Sequence, residues 1–352
     1  MPADDAQGIP TAELSTLARD TLLFRHIAAI DVGSNGIRFA IASVGPGNTI
    51  SRVHTARESI RLGEDVFRTG KVQPATVERL LRVFAKFQRV GQKLKVQRVL
   101  AVATSAMREA SNGKQIVRRI QQQTGLRIRI IGGSEEARLI LLAVKQVTTD
   151  LPSPSLLLDM GGGSIELTVL RSRGPVASCS LPLGAVRLLK QADELRPGPG
   201  QVAALIARHA AGVARFLDRA VGNEQITTCV ATGGNVETLG RLRVDLLSES
   251  DKGLLLYKEI DQLIGHLDRT TPRQRIERWG LRPDRADVIH PAALVLQMVC
   301  LQAGVERVLI PRVGVKDGLL IDTARAPRTT RSSVTASASP KPARKSRSVK
   351  AR

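Results

Sequence analysis

Two carboxylates flank a glycine-rich turn near the middle of the chain. Asp159 ends the apolar run 156–158, three glycines and a serine follow, and Glu166 lies just past the turn. Bare glycine N–H groups and a serine hydroxyl can contact an anion, and two carboxylates can hold Mg²⁺ against phosphate oxygens. The pattern predicts two strands around a phosphate-binding turn, although an ordinary β-hairpin explains the glycines equally well. The candidate metal ligands are Asp159 and Glu166, and the candidate phosphate-binding residues are Gly161, Gly162, Gly163 and Ser164.

The same pattern occurs a second time near the N-terminus. An apolar segment from residue 26 ends at Asp31, a short polar turn follows, and another apolar segment covers 37–42. A duplicated turn that begins with Asp predicts two similar α/β lobes that face one anion from opposite sides. The phosphate-binding candidates here are Asp31, Gly33, Ser34 and Asn35, and Asp31 could also reach a metal ion through water.

Further candidates lie elsewhere in the chain. Arg108 follows an apolar strand and a Thr-Ser pair, where a guanidinium could hold a phosphate through two donors, and Arg285 is a second candidate for that contact. Most arginines are simply surface residues. Gly233 and Gly234 either approach a substrate or form a plain strand-to-helix turn. The five histidines lack the spacing of metal ligands.

Apolar periodicity predicts the elements that position these residues. In the first half we expect strands near 26–32, 37–44, 49–57, 96–103 and 127–131 and helices near 74–94 and 114–124. Ser134 is expected to cap the next helix. In the second half we expect strands near 155–160, 164–170, 175–181, 225–231 and 307–310 and helices near 184–192, 201–220, 288–300 and 316–324. Residues 244–285 look like mostly polar helix and loop.

Composition limits the classes of function. The net charge is +21, of which the nine basic residues after Thr323 contribute +9 without any acid. We expect residues 1–25 to be a loosely ordered lead-in and the tail 326–352 to be disordered and to bind polyanions weakly. Aromatic residues make up only 2% of the chain, which argues against a stacking platform for single-stranded nucleic acid.

The location of the protein is predicted from its apolar runs and cysteines. The chain has no uninterrupted apolar run near 18 residues, so we expect neither a membrane span nor export. Its cysteines, Cys179, Cys229 and Cys300, are odd in number and lack paired metal spacing. We therefore expect buried, reduced thiols and a cytoplasmic protein.

Several stretches, taken together, resemble a known family. The specific pair is Glu135-Glu136-Ala137-Arg138 with the Asp-x-Gly-Gly-Gly-Ser-x-Glu turn at 159–166. Supporting stretches are 103–112, 131–138, 231–235 and 285–289. The chain is similar to the exopolyphosphatase and guanosine pentaphosphate phosphohydrolase family, in its short two-domain form. That family lies within the superfamily of actin, sugar kinases and heat-shock ATPases.

The resemblance implies a fold and an activity. The fold is α/β, with two ribonuclease H-like (actin-like ATPase) lobes, a duplicated mixed-sheet core and an interlobe cleft. We expect domain I at 26–133, closed by a helix at 312–325, and domain II at 134–311. The activity is Mg²⁺-dependent removal of terminal orthophosphate from inorganic polyphosphate, and guanosine pentaphosphate is the alternative substrate. A regulator that binds these ligands without turnover is a further alternative, and a homodimer is expected.

The resemblance also assigns roles to two residues. Glu136, the second Glu of the Glu-Glu-Ala-Arg motif, is the candidate that orients and deprotonates the attacking water. Arg108 is the candidate catalytic arginine. An acid in a first helical turn can also serve only to stabilise the helix dipole, and we expect Glu135 to do so.

Overall fold

A computed structural model describes residues 24–195 and 200–326. The predicted basic tail lies outside the described residues apart from Ala326, and so does the lead-in up to residue 23. Within the described ranges the chain forms two mixed β-sheets with helices around them.

The first sheet has five strands in the order β3-β2-β1-β4-β5. The strands are β1 (Arg25–Gly33), β2 (Gly36–Val44), β3 (Ile50–Glu58), β4 (Arg98–Ala103) and β5 (Ile128–Ile130). β1 pairs antiparallel with β2 and parallel with β4, so the turn between β1 and β2 and the end of β4 lie at the same edge.

The second sheet repeats this order and adds one strand. Its order is β10-β11-β9-β6-β7-β8. The strands are β6 (Ser155–Met160), β7 (Ile165–Arg171), β8 (Gly174–Leu181), β9 (Thr228–Thr232), β10 (Leu254–Leu256) and β11 (Arg307–Leu309). β6 pairs antiparallel with β7 and parallel with β9, as β1 does with β2 and β4. The matching topology confirms the predicted duplication.

Helices cover both sheets. Those of the first half are α1 (Leu62–Thr69), α2 (Pro74–Lys93), α3 (Ser105–Glu109), α4 (Gly113–Thr124) and α5 (Gly133–Val147). Those of the second half are α6 (Ala185–Glu194), α7 (Gln201–Val221), α8 (Gly234–Leu247), α9 (Tyr257–Asp268), α10 (Pro272–Trp279), α11 (Pro283–Ala286), α12 (Ile289–Ala303) and α13 (Val315–Arg325).

Helices α5 and α13 lie between the two sheets and cross each other. α5 packs on β6, β7 and β8, whereas α13 packs on β1, β2 and β3. One apolar core contains residues of both helices and of both sheets, among them Ile27, Leu139, Leu157 and Leu319. At the crossing, a Cβ added to Gly318 would lie 2.0 Å from the carbonyl oxygen of Leu139. The helices therefore touch backbone to backbone. The division into two domains at 133/134 stays a prediction.

Three local features differ from the expectations. Ser134 does not cap α5, because the helix begins one residue earlier and Gly132 occupies the N-cap position without a side-chain bond. The helix α1 was not predicted, since its eight residues are too few to show clear periodicity. The segment 244–285 is largely helix and loop, as expected, but it also contains the strand β10 (Leu254–Leu256), which was not predicted.

One helical stretch, Pro283–Ala303 (α11 and α12 together), is long and apolar enough by length and composition to cross a membrane. Of its most apolar window, 61% is buried inside the fold. The buried core helix of a soluble protein passes the same test, so this is weak evidence for a membrane span.

The described cysteines are free thiols. Cys229 and Cys300 are buried, as predicted, whereas Cys179 is only partly buried.

Candidate active site

The two glycine turns meet at the centre of the molecule. A Cβ added to Gly162 would lie 3.1 Å from the Cβ of Ser34 and 3.3 Å from that of Asn35. A Cβ added to Gly163 would lie 2.1 Å from the Oγ of Ser105, so this position tolerates no side chain. The turns of the two lobes therefore close one narrow cleft, with a volume of about 70 Å³.

Most of the predicted site residues line this cleft. They are Asp31, Gly33, Ser34, Asn35, Glu136, Asp159, Gly161, Gly162, Ser164, Gly233, Gly234 and Arg285. Arg108, Gly163 and Glu166 are not in its wall. Gly163 packs against the other lobe, and Glu166 lies behind Asp159 on the neighbouring strand.

Three buried carboxylates converge at the base of the cleft. One oxygen each of Glu136, Asp159 and Glu166 lies within 4.8 Å of the other two. Asp159 accepts a hydrogen bond from the Thr232 hydroxyl at 2.5 Å. Glu166 Oε1 accepts two, from Ser164 Oγ at 2.9 Å and Ser180 Oγ at 2.8 Å. The other Glu166 oxygen and one Glu136 oxygen have no hydrogen-bond partner among the described residues.

Burial raises the pKa values of all three acids. Burial, followed by the charges of Glu166, Asp159 and Asp31, raises the pKa of Glu136 well above its usual value. Burial and the Asp159 charge raise the pKa of Glu166 to about 7, although the two serine hydroxyls oppose this shift. Burial likewise raises the pKa of Asp159, against the hydrogen bond from Thr232. The cluster therefore carries more negative charge than its surroundings stabilise.

A divalent cation fits this cluster. Mg²⁺ prefers oxygen ligands, and a positive ion is the group that unpartnered, buried carboxylate oxygens lack. We predicted Asp159 and Glu166 as ligands from the turn. The structure adds Glu136 to the same cluster, although it comes from a different element, the first turn of α5.

Backbone amides face the cleft from both lobes. Gly161 N–H is used within its own turn, where it donates to Ser164 O at 3.0 Å, so this amide does not reach a ligand. No described residue accepts from the amides of Gly162, Ser34 or Asn35, and all three residues line the cleft. These N–H groups are available to an anion, and their contact with one stays a prediction.

The strand-to-helix turn before α8 is shaped by two glycines. Gly233 has a φ of 105° and touches Met160 O, which a Cβ would approach to 2.4 Å. Gly234 begins α8 and packs on the Arg285 guanidinium. The segment is the expected strand-to-helix turn, and it lies in the cleft wall. Its approach to a substrate stays a prediction.

Cationic side chains, among them Arg38 and Arg57, also line the cleft. Arg38 Nη1 donates to Asp31 Oδ2 at 3.0 Å. Arg57 pairs with Asp284 across the lobes, and Arg61 Nη1 pairs with Asp287 Oδ2 at 2.8 Å.

Arg285 lines the cleft as well. It is 6% exposed, and its Nη1 donates to Asn235 Oδ1 at 2.7 Å. Burial and the neighbouring Arg38 and Arg57 lower the pKa of Arg285 to about 9.

Arg108 lies beside the acid cluster, outside the cleft wall. Its Nη1 donates to the carbonyl oxygen of Ile131 at 2.6 Å and lies 3.9 Å from Glu136 Oε2. This guanidinium therefore adjoins Glu136, and its assignment as a phosphate clamp stays a prediction. Glu135 lies in the first turn of α5 and pairs with Arg138, and its expected role at the helix dipole stays a prediction.

Sequence reasoning missed several residues in the cleft wall. They include Arg38, Arg57, Glu237 and Lys316. Arg38 had a detectable signal, because a tight β1–β2 hairpin places it directly opposite Asp31. Arg57, Glu237 and Lys316 come from β3, α8 and α13, and no local pattern links those elements to the turns.

Comparisons with known proteins agree with this geometry. The model of the Ppx/GppA phosphatase family matches residues 40–326. The chain is 28% identical over 307 residues to Exopolyphosphatase 1 of Mycobacterium leprae, covering 84% of this chain and 88% of the relative. It is 31% identical over 303 residues to an uncharacterized protein of Streptomyces coelicolor, covering 84% and 89%.

A solved structure with the same fold is that of an exopolyphosphatase from Cytophaga hutchinsonii. Its TM-score is 0.77 at 23% sequence identity, and the match covers 85% of this chain and 98% of that one. The two-lobed, actin-like fold expected from the sequence is confirmed by this match.

Proposed function

The chain belongs to the Ppx/GppA phosphatase family, and from that premise we propose that it is an exopolyphosphatase. It is a hydrolase that acts on phosphoanhydride bonds. In the reaction we propose, water attacks the terminal phosphorus of inorganic polyphosphate and the bridging P–O bond breaks. The products are orthophosphate and a chain that is shorter by one phosphate.

The observation that carries the proposal is the meeting of three buried acids with amides from both lobes. Phosphoryl transfer needs positioning and charge neutralisation more than covalent chemistry by the protein. The amides of Ser34, Asn35 and Gly162, which line the cleft, would hold the terminal phosphoryl oxygens. The curated relative from Mycobacterium leprae is named an exopolyphosphatase, which favours polyphosphate as the substrate.

The acid cluster would hold the metal ion. Asp159 and Glu166 are the proposed ligands, because they lie opposite each other on paired strands and Glu166 is fixed by two serine hydroxyls. A bound Mg²⁺ supplies positive charge next to the phosphate oxygens and lowers the cost of the developing charge.

Glu136 is the proposed general base. It lies in the cleft wall, beside Asp159, and one of its oxygens is unpartnered. That oxygen can accept the proton of the attacking water as the new O–P bond forms. Arg108, 3.9 Å away, stabilises the charged form of Glu136 and counteracts its raised pKa.

Orthophosphate release from polyphosphate tests the proposal. We expect release by the wild-type protein to depend on added Mg²⁺, and Glu136→Gln to lower kcat by about 10²–10⁴-fold. Glu135→Gln, which removes the neighbouring surface acid, is the matched control and should leave kcat unchanged. A protein that binds polyphosphate but shows no difference between wild type and Glu136→Gln would be a binder without turnover.

The nucleotide is the second arm of the same assay. Release from guanosine pentaphosphate without release from polyphosphate would replace the proposed substrate by the nucleotide. Homodimer formation, a cytoplasmic location and polyanion binding by the tail stay predictions of the sequence.

A further inference from the structure

A second, larger cavity opens from the candidate active site. Its volume is about 390 Å³, against about 70 Å³ for the inner cleft. The two cavities share Arg38, Arg57, Gly234, Glu237 and Arg285. The two cavities therefore adjoin each other at these residues.

The wall of the second cavity is strongly basic. Besides the shared Arg38, Arg57 and Arg285, it carries Arg241, Lys252, Arg282 and Arg312. Glu237 is the one acidic residue among the described residues that line it. A concave surface with one sign of charge concentrates ligands of the opposite sign.

Much of this charge is not neutralised within the protein. Lys252 and Arg312 form no ion pair among the residues that the structure describes. Arg282 Nε lies 3.3 Å from Asp284, but that carboxylate already pairs with Arg57. Arg312 also has a φ of 58°, a left-handed backbone that is unfavourable for arginine. Such conformations cluster at ligand sites.

Arg285 lines both cavities and forms no ion pair among the described residues. Its side chain is buried, its one hydrogen bond goes to the neutral Asn235, and its Nε has no partner among those residues. Its charged neighbours are Arg38, Arg57 and Arg282 and one acid, Asp284, which is already paired with Arg57. Burying a guanidinium without a counter-charge is costly, so the junction between the cavities favours a negatively charged group.

The lining favours a chain of phosphates over a nucleoside. No aromatic side chain lines the second cavity within the described part of the chain, and Leu281 is the one apolar side chain there. A purine ring is normally held by apolar or aromatic surfaces, whereas an extended polyanion needs a row of cationic groups.

We propose that the second cavity binds the phosphates that stay on the polymer after cleavage. Arg241, Lys252, Arg282 and Arg312 are then the residues that set the preference for longer chains. This inference rests on the proposed function, because it assumes that the terminal phosphate lies at the acid cluster.

The test compares short and long substrates in a double variant, Lys252→Gln with Arg312→Asn. Asparagine suits the left-handed backbone at 312, and both side chains are exposed and unpaired. We expect KM for a long polyphosphate to rise about 5- to 30-fold, as for the loss of two exposed charge contacts. KM for tripolyphosphate should change less than about twofold, and kcat for both should stay the same, since neither residue lies in the inner cleft.

A charge-matched control is Lys114→Gln with Arg118→Gln. These residues are exposed on α4, away from both cavities, so this variant should behave as wild type. A second variant, Arg241→Gln with Arg282→Gln, repeats the test from the other side of the cavity. Thermal melting of each variant confirms that it is folded.

The outcomes separate the two proposals. If wild type releases orthophosphate from neither polyphosphate, the proposed function fails. If wild type degrades both but neither cavity variant raises KM for the long chain, only the cavity assignment fails. Equal increases of KM in the control variant, or for tripolyphosphate, would also overturn it, as would an effect confined to guanosine pentaphosphate.

Discussion

The two hairpins at the centre of the molecule share their strand topology and differ in electrostatics. In the β1–β2 hairpin Asp31 lies opposite Arg38, and in the β6–β7 hairpin Asp159 lies opposite Glu166. The first pair is an ion pair of 3.0 Å. In the second pair both side chains are acids.

The duplicated hairpins therefore differ in net charge: one contains an ion pair, and the other contains two acids. In the first hairpin the cross-strand residue neutralises the aspartate from within the protein. In the second it doubles the negative charge, and Glu136 from α5 adds a third acid. The equivalent position of α13, four residues after its N-cap glycine, is Gly318, which instead forms the helix crossing. One lobe therefore has a cluster of acids that could hold a cation, whereas the other neutralises its aspartate with its own arginine.

The largest effect is expected from removing the charge of the second hairpin. Glu166→Gln keeps the shape and the bonds from Ser164 and Ser180 but removes one metal ligand. We expect Mg²⁺-dependent orthophosphate release to fall by at least about 100-fold, with partial recovery at higher Mg²⁺ concentration. Kinetics as a function of Mg²⁺ measures this. If the variant depended on Mg²⁺ in the same way as wild type, the paired acids would not bind the ion.

A smaller effect is expected from breaking the first hairpin's pair. Arg38→Gln leaves Asp31, which is 2% exposed, without its cation. We expect the free energy of unfolding to fall by about 1–3 kcal/mol, as measured by urea denaturation. Added Mg²⁺ should not stabilise the Arg38→Gln variant more than it stabilises wild type. Arg129→Gln, which breaks only an exposed contact of 3.6 Å with Glu135, is the control and should stay within about 0.5 kcal/mol of wild type.

The smallest expected effect is on the pH dependence of thermal stability. The pKa of Glu166 is about 7 in the metal-free fold, above its ordinary value of 4.5. Its contribution to stability is therefore full below about pH 4.5 and is lost as the pH rises to about 7. Mg²⁺ should raise Tm more at pH 8 than at pH 5. The difference should be about 2–4 °C for each kcal/mol by which the free energy of unfolding differs.

Glu166→Gln is the matched control for this measurement, since its side chain does not titrate. The variant should lose part of the difference between the two pH values. An equal gain in Tm at pH 5 and pH 8 in wild type would contradict the assignment of the raised pKa to the acid cluster.

The turns could be predicted because their chemistry is local. An Asp followed by small residues between two apolar runs defines a hairpin and the position of its acid, at 31 and again at 159. Glu136 was identified only through family resemblance, because an acid in a first helical turn has an ordinary structural role. Its nearness to Asp159 depends on the packing of α5 against the second sheet, which no local pattern specifies.

The basic wall shows the limit of local reasoning most clearly. Arg57, Arg241 and Arg312 come from β3, α8 and the loop before α13, and each resembles many other arginines in a basic chain. Only tertiary packing brings them to one cavity. Gly233 was noticed, but whether it needed to be glycine depended on the carbonyl of Met160, which lies on another strand.

The helix crossing at Gly318 has a mechanical consequence. α13 rests directly on the Leu139 carbonyl, three residues along α5 from Glu136. A side chain at position 318 would therefore displace one of the two helices and disturb the position of Glu136. The Arg57–Asp284 and Arg61–Asp287 ion pairs join the same two lobes, so the lobes can separate only if both pairs break.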